Sequence, residues 1–472
     1  MTPLMTGRQG FQNPGRLAHR PRSTRLKVGA FAGMGLWLLI WSGYNTGPWY
    51  VMDPNFPSSN LELIHGVRAF FPLLAGWFAL LWLLTPSKTT NRGAFEGPLG
   101  LMLVYSLVGV ISSMLLSPGW FGTSYWALAY GSVALVGIAI LSTDQPLETA
   151  SSVLTLSGII AVVMTVGIVI GMPLIGGPSV TADPLSLHTI SSGYRTASFA
   201  GMSGTRNTGF ARYAAVAGLY ALGRMWQGRM VLRSIWFMVL LFSGYCLLAA
   251  QGRSEMVAFI AGSLVILLLR RSRRAVLAVW GMGIVVLMFL GHMFDWLWDY
   301  GTRTGHFDPS LTGRTETWHE GWKLFLHSPW IGFGFQADRV FLHQHMHDAL
   351  LHALVQTGLL GTIAFVLALV LSVFLMAKLY IASQVRRSTV FRDEVPGLLA
   401  FFIVLSVTES TAYFSADWLL LAPVLAYIQV LAWQQGVLKG RARSAYGSAV
   451  RMCRPALAFH SPDTAGEEGL PR

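Results

Sequence analysis

Charge is scarce in this chain. Only 12% of its 472 residues are Asp, Glu, Lys or Arg, about half of the roughly 25% typical of soluble globular domains. With 53% apolar residues and a mean hydropathy of +0.52, the composition is that of a polytopic membrane protein and excludes an ordinary soluble enzyme. Cysteine is nearly absent. Cys246 falls inside an apolar run and Cys453 in the tail, so no disulfide framework is expected. Acidic residues are outnumbered by basic ones, 21 to 34, for a net charge of +13. In a soluble protein that excess would point to nucleic acid, but no basic patch here is interleaved with exposed aromatics. Internal repeats, a nucleotide-binding glycine motif and a metalloprotease-type HExxH are all missing. Gly332-Phe333-Gly334 is too short for a phosphate loop and lacks a strand–helix setting.

What is present is a series of apolar runs. About twelve are long enough to cross a bilayer: 28–45, 68–85, 99–117, 124–142, 152–173, 208–224, 234–250, 254–270, 275–293, 350–378, 396–411 and 417–434. The run at 208–224 is weak because it is rich in Gly and Ala, and 396–411 is short. A tight turn at Arg253 makes its two flanking spans a hairpin. The basic N-terminal stretch has a signal peptide as one reading, but it is long and no small-x-small cleavage site stands out before Asn45, so a retained first span is expected. With the N-terminus inside, about 25 of the 34 Lys and Arg residues fall on the cytoplasmic side, as the positive-inside rule requires. The expected fold is therefore all-α and polytopic. Residues 1–27 form a cytoplasmic basic tail, 28–434 the transmembrane domain, and 435–472 a second cytoplasmic tail expected to be disordered. Between spans lies one large outer loop, 294–349, containing short helices.

That loop is too long to be a mere connector. It collects Arg303, Arg314, Asp338, Arg339 and the histidines 306, 319, 327, 343, 345 and 347. His347 precedes a span at the spacing His347-Asp348-x9-Gly358-x-x-Gly361. A helix N-terminus disfavours imidazolium, and a neutral imidazole there is a competent general base; a capping or snorkelling role is the alternative. Asp348 is expected either to orient His347 or to cap the helix. Gly358 and Gly361 share a helix face and permit close approach of a neighbouring helix. His343, His345 and His347 alternate, as metal ligands on an extended segment would, but no cysteine or second motif supports a metal, and none is expected.

Arg314 opens an amphipathic run carrying Trp318, Trp322 and Phe325, expected to lie at the membrane surface. A cation beside helix N–H groups suits phosphate; pairing with Glu316 or Asp308 is the alternative. Arg253 lies at a span–span turn, where a charge is functional or paired, with Glu255 the obvious partner. Arg195, Arg206 and Arg212 are secondary candidates. Trp296, Trp298 and Tyr300 read as an interfacial aromatic belt. Glu409 and Asp417 flank the last outer turn and could supply a carboxylate to the site, although nothing in the spacing demands it.

Taken in order, Gln251-Gly252-Arg253-Ser254 opening a span, Ser310-Leu311-Thr312-Gly313-Arg314-Thr315-Glu316-Thr317-Trp318, Ser328-Pro329-Trp330-Ile331-Gly332-Phe333-Gly334-Phe335 and His347-Asp348-x9-Gly358-Leu359-Leu360-Gly361 resemble the bacterial O-antigen ligase and polysaccharide polymerase superfamily. The resemblance spans roughly 200–435. It implies a GT-C-type membrane glycosyltransferase that moves a glycan from undecaprenyl diphosphate to an acceptor hydroxyl, without metal or cofactor, at the periplasmic face of the bacterial inner membrane. The family's essential histidine falls on His347 and its two arginines on Arg314 and Arg253. Asp348 stands where the family often has Asn, Ser or Gln. The implied partners are the lipid-linked donor, membrane lipids, and either lipid A–core or another lipid-linked glycan as acceptor, with protein O-glycosylation a further option. A lipid or polysaccharide transporter, or flippase, is the main alternative, and a non-catalytic assembly scaffold a lesser one. The former predicts ionisable residues inside spans and broken, paired helices at mid-membrane.

Overall fold

The computed structural model describes residues 26–44, 67, 69–85, 94–174, 207–226, 230–250, 252–270, 314–381 and 391–438. Within them run helices α1 (Leu26–Gly43), α2 (Phe71–Leu84), α3 (Pro98–Leu116), α4 (Trp120–Leu141), α5 (Pro146–Leu174) and α6 (Asn207–Arg224). These are followed by α7 (Met230–Ala250), α8 (Arg253–Arg270), α9 (Arg314–His327), a π-turn (Asp338–Leu342), α10 (Ala349–Ile381), α11 (Glu394–Leu405) and α12 (Ala416–Gln434). No strand occurs among the described residues. Proline opens α2, α3 and α5, where its missing N–H costs nothing and its fixed φ suits the first turn. Ser415 caps α12 by accepting the Trp418 N–H at 3.4 Å. Six helices (α3, α4, α5, α7, α10 and α12) are long and apolar enough to cross a membrane, and α1, α2 and α11 are shorter apolar helices. The protein is an all-α polytopic membrane protein. Every expected span that falls on described residues coincides with a helix. The one expected over 275–293 lies outside them, as do the tails except residues 26–27 and 435–438, loop residues 294–313, Arg195 and Arg206.

The weak run at 208–224 turns out to be central. As α6 it is buried from Phe210 to Leu222. A helix enclosed by protein need not be strongly apolar; it must be thin enough for neighbours to approach. Gly218 is met by Phe259 of α8 and Ser243 of α7, and Gly223 by Glu394 of α11. This also corrects the hairpin expected at Arg253. Helices α7 and α8 follow one another directly, yet each packs mainly on α6 or α11 and they scarcely touch each other. Helix α12 is likewise interior over its whole length, whereas α7 is largely exposed.

The outer loop is seated in the bundle rather than lying across it. Phe335 is fully buried and packs on Tyr105 and Tyr130 at ring separations of 5.4 and 5.5 Å, in space left by Gly109. Tyr130 in turn stacks on Trp418 at 4.5 Å. Such aromatic pairs each add about 0.5–1.5 kcal/mol beyond area burial.

Helix α10 breaks at Gly358, whose φ of 57° and ψ of −162° fall in a region that essentially only glycine occupies. Around the break, helix and loop exchange backbone hydrogen bonds. Leu359 N donates to Pro329 O (2.8 Å), Leu360 N to Trp330 O (3.1 Å), Phe333 N to Val355 O (2.9 Å) and Gly334 N to Gln356 O (2.8 Å). Gly358 therefore serves a helix–loop seam rather than the helix–helix contact expected of it, and the nearest atoms to a Cβ at Gly361 belong to Thr357 of its own helix. A Cβ at Gly358 would overlap the Trp330 carbonyl. Gly358→Ala is expected to destabilise the purified protein by about 2–4 kcal/mol, seen as a clear drop in thermal midpoint. Gly35→Ala, where a Cβ meets nothing within 4 Å, should leave that midpoint unchanged; equal behaviour of the two variants would contradict the seam.

Candidate active site

His347 sits just before α10 with φ 52°, a left-handed conformation uncommon for a side-chain-bearing residue. The helix behind it is capped by Asp348, whose Oδ1 accepts the Leu351 N–H at 2.6 Å. Of the two roles expected for Asp348, the structure gives it the capping one. The carboxylate that orients His347 comes instead from Glu409, in the segment joining α11 to α12. His347 Nδ1 donates to Glu409 Oε2 at 3.1 Å, and that segment is tied to the start of α10 by Ala349 N donating to Ser406 O at 3.0 Å.

Glu409 is 2% exposed and is shared by three donors. Arg212 Nη2 reaches Oε2 at 2.6 Å and Arg314 Nη2 reaches Oε1 at 3.3 Å, while Arg314 Nη1 also donates to Thr408 O at 2.7 Å. Arg212 additionally pairs with Asp417 (3.0 Å) and Glu255 (3.4 Å). Burial pushes the Glu409 carboxyl up, but Arg212, the His347 hydrogen bond and Arg314 outweigh it and hold its pKa down at about 2. An anion fixed at Nδ1 selects the tautomer that keeps Nε2 unprotonated. Among the described residues nothing hydrogen-bonds that Nε2, and the side chain is 24% exposed. This is the disposition of an oriented general base.

Helix α9 builds the other wall. Arg314, Thr317, Trp318, Gly321 and Phe325 recur at three- and four-residue steps, so they share one face. Trp318 Nε1 donates to Met346 O at 2.6 Å and Thr317 Oγ1 to Gln344 Oε1 at 2.8 Å, clamping the segment that leads to His347. At the flank of that face Trp322, its ring 5.1 Å from that of Phe325, and Leu326 are exposed. Among the described residues Arg314 pairs with Glu409 and not with Glu316; Asp308, the other expected partner, lies outside them. Arg253 opens α8 two residues before Glu255, which itself pairs with Arg212.

The alternating histidines do not act together. His343 is exposed and left-handed, His345 turns inward to Asp338 at 2.9 Å, and His347 goes to Glu409. Asp338, His345 and His352 form the one group of metal-ligand type among the described residues, with candidate ligand atoms within 4.8 Å of one another. Sequence reasoning singled out Glu409 without assigning it a role, and missed Asp338 and His352 as site residues. The available signal was that Glu409 and Asp417 are the acidic residues of an otherwise apolar stretch, where an ionisable group is functional or paired.

Comparison with known proteins gives a family for part of the chain. Residues 236–366 match the family described as O-antigen ligase, a segment containing Arg253, Arg314 and His347. A curated relative, the exopolysaccharide production protein ExoQ of Rhizobium meliloti (strain 1021), is 27% identical over 192 residues, covering 34% of this chain and 42% of that protein. The chain thus aligns with less than half of that relative's length. No solved structure matches. The matched segment is similar to the O-antigen ligase family and relates this membrane protein to the O-antigen ligase and polysaccharide polymerase superfamily.

Proposed function

We propose that the protein transfers a glycan from undecaprenyl diphosphate to an acceptor hydroxyl, at the periplasmic face of a bacterial inner membrane with both termini cytoplasmic. The observation that carries this reading is the single buried carboxylate of Glu409 holding both His347 and Arg314. It sets a base and a cation side by side, as displacement of a phosphate leaving group requires. The acceptor oxygen attacks the anomeric carbon as the bond from that carbon to the diphosphate oxygen breaks. The hydroxyl proton passes to His347 Nε2. The diphosphate leaves with its charge met by Arg314 and Arg253, an electrostatic stabilisation of the kind that dominates such reactions, with no metal ion in the step. Lipid A–core, a second lipid-linked glycan or a protein hydroxyl would each serve as acceptor.

Two features fit the transporter alternative: ionisable residues in helices and a broken helix. Yet Glu255 and Asp417 lie in the first turns of their helices and Arg212 close to the start of α6. Among the described residues, α10 is broken by itself, without a paired partner. Glycan flux into vesicles distinguishes the two readings.

His347→Ala is expected to abolish chain transfer in a complemented deletion strain at unchanged protein level, and Glu409→Gln to lower it about 10²–10³-fold. Full transfer by His347→Ala would refute the assignment. Arg314→Lys keeps the charge but loses the planar fork, so transfer should fall by about 10–100-fold; wild-type activity there would make Arg314 a scaffold residue. In the deletion strain itself, surviving single repeats without long chains would indicate a polymerase, and unattached lipid-linked chains a ligase.

A further inference from the structure

We propose that Asp338 is the positioning residue of the His347–Glu409 pair, one buried carboxylate anchoring both segments that present it. The proposal rests on His347 acting as the base. Asp338 lies in the π-turn and is fully buried. Its Oδ2 accepts His345 Nδ1 at 2.9 Å and the Met346 N–H at 3.3 Å, and Met346 immediately precedes His347. Its Oδ1 accepts His352 Nε2 at 3.1 Å. On its far side His352 Nδ1 meets Ser410 Oγ at 2.8 Å, and Ser410 immediately follows Glu409. One carboxylate therefore has a hydrogen-bonded path of one or two links to the neighbour of each partner.

Backbone conformation explains why such an anchor is needed. Gln336, His343 and His347 all have φ between 52° and 59°. Left-handed residues with side chains are strained and persist where the surroundings over-determine them. Asp338 sits inside this strained stretch, with His345 packed edge-on to His347 at 4.5 Å. His345 and His352 outweigh burial and hold the Asp338 carboxyl below the usual range, so it remains the acceptor that all three donors require. Burial pushes the His345 imidazole down to about 4, which keeps that ring neutral at physiological pH.

The same residues could in principle ligate a divalent metal, but their protons are accounted for without one. His352 Nε2–H is shared by Asp338 and, with the Gln356 amide turned to satisfy both its ends, Gln356 Oε1 at 2.6 Å. His352 Nδ1 then accepts from Ser410, whose oxygen also accepts the Ala412 N–H at 3.3 Å. Gln356 nitrogen donates to Tyr105 and to Ala412 O. A metal would have to displace the ring protons that make these bonds.

The experiment measures transfer by purified full-length protein. The substrate is the combined lipid-linked glycan and lipopolysaccharide extract of a strain lacking it. Asp338→Asn is expected to lower kcat about 100-fold, as misplacement of a base by an ångström does. Donor KM should stay within about twofold. In a cycle with Glu409→Gln, the double variant should fall no more than about threefold below Glu409→Gln alone, because both act through one imidazole. Wild-type kcat, a rise in KM instead, or additive losses would overturn the proposal. If Asp338→Asn does not fold, His352→Gln, which cuts the link to Ser410, must show the same kcat–KM split. Loss of wild-type activity on chelation, restored by zinc, would assign the cluster to a metal and also overturn it. Active His347→Ala defeats the functional reading itself; inactive His347→Ala with normal Asp338→Asn defeats only this inference.

Discussion

A buried anion shared by two guanidinium groups and an imidazole is the constraint on which one end of this bundle depends. Glu409 has almost no access to water, and an isolated carboxylate there would cost several kcal/mol. The cost is met by partners drawn from three separate elements: Arg212 from α6, Arg314 from α9 and His347 from the turn before α10. Removing one partner would leave a charge uncompensated. The pairing therefore selects one mutual arrangement of these elements, which hydrophobic packing alone does not do, since lipid is as apolar as the helices.

The opposite end of α6 repeats the device. Arg224 pairs with Glu394 at 3.0 Å, and Glu394 with Arg392 at 2.6 Å. Arg392 also donates to Ser151 and Thr155 of α5. Arg212 and Arg224 are separated by about 18 Å at 1.5 Å per residue. Helix α6 is thus pinned by ions at both ends, while its alanines and glycines let α7, α8 and α11 close around the middle. Exposure does not separate the two clusters, since Arg224, Arg314 and His347 are each 24% exposed; what sets the Glu409 cluster apart is the imidazole among its partners.

Much of this was legible in the residues. Spans declare themselves by apolar length, and the helix at Arg314 by the recurrence of Trp318, Trp322 and Phe325. His347 and Arg314 were singled out by motif and position. The partnership through Glu409 was not, because the residue stands 62 positions from His347 and no local spacing links them. Gly358 was misjudged for a related reason. Two glycines three apart on a helix look like a packing face, and only the strand-like exchange with Pro329–Gly334 shows that the helix is interrupted. Helix α6 looked weak because hydropathy measures fitness for lipid, whereas this helix is surrounded by protein.

The boundaries of the matched family segment sharpen the point. Residues 236–366 contain Arg253, Arg314, His347 and the Asp338–His345–His352 cluster. Arg212 lies before that segment, and Glu409, Ser410 and Asp417 lie after it. The residues proposed to take a proton and to meet a phosphate are thus inside the segment, while the carboxylate that joins His347 to Arg314 is outside. Taken alone, residues 236–366 would present His347 with no anion at Nδ1 and Arg314 with no partner at 3.3 Å. Helices α6, α11 and α12 are therefore more than membrane anchors for a self-sufficient domain: they supply the charge that brings its functional residues to a common point.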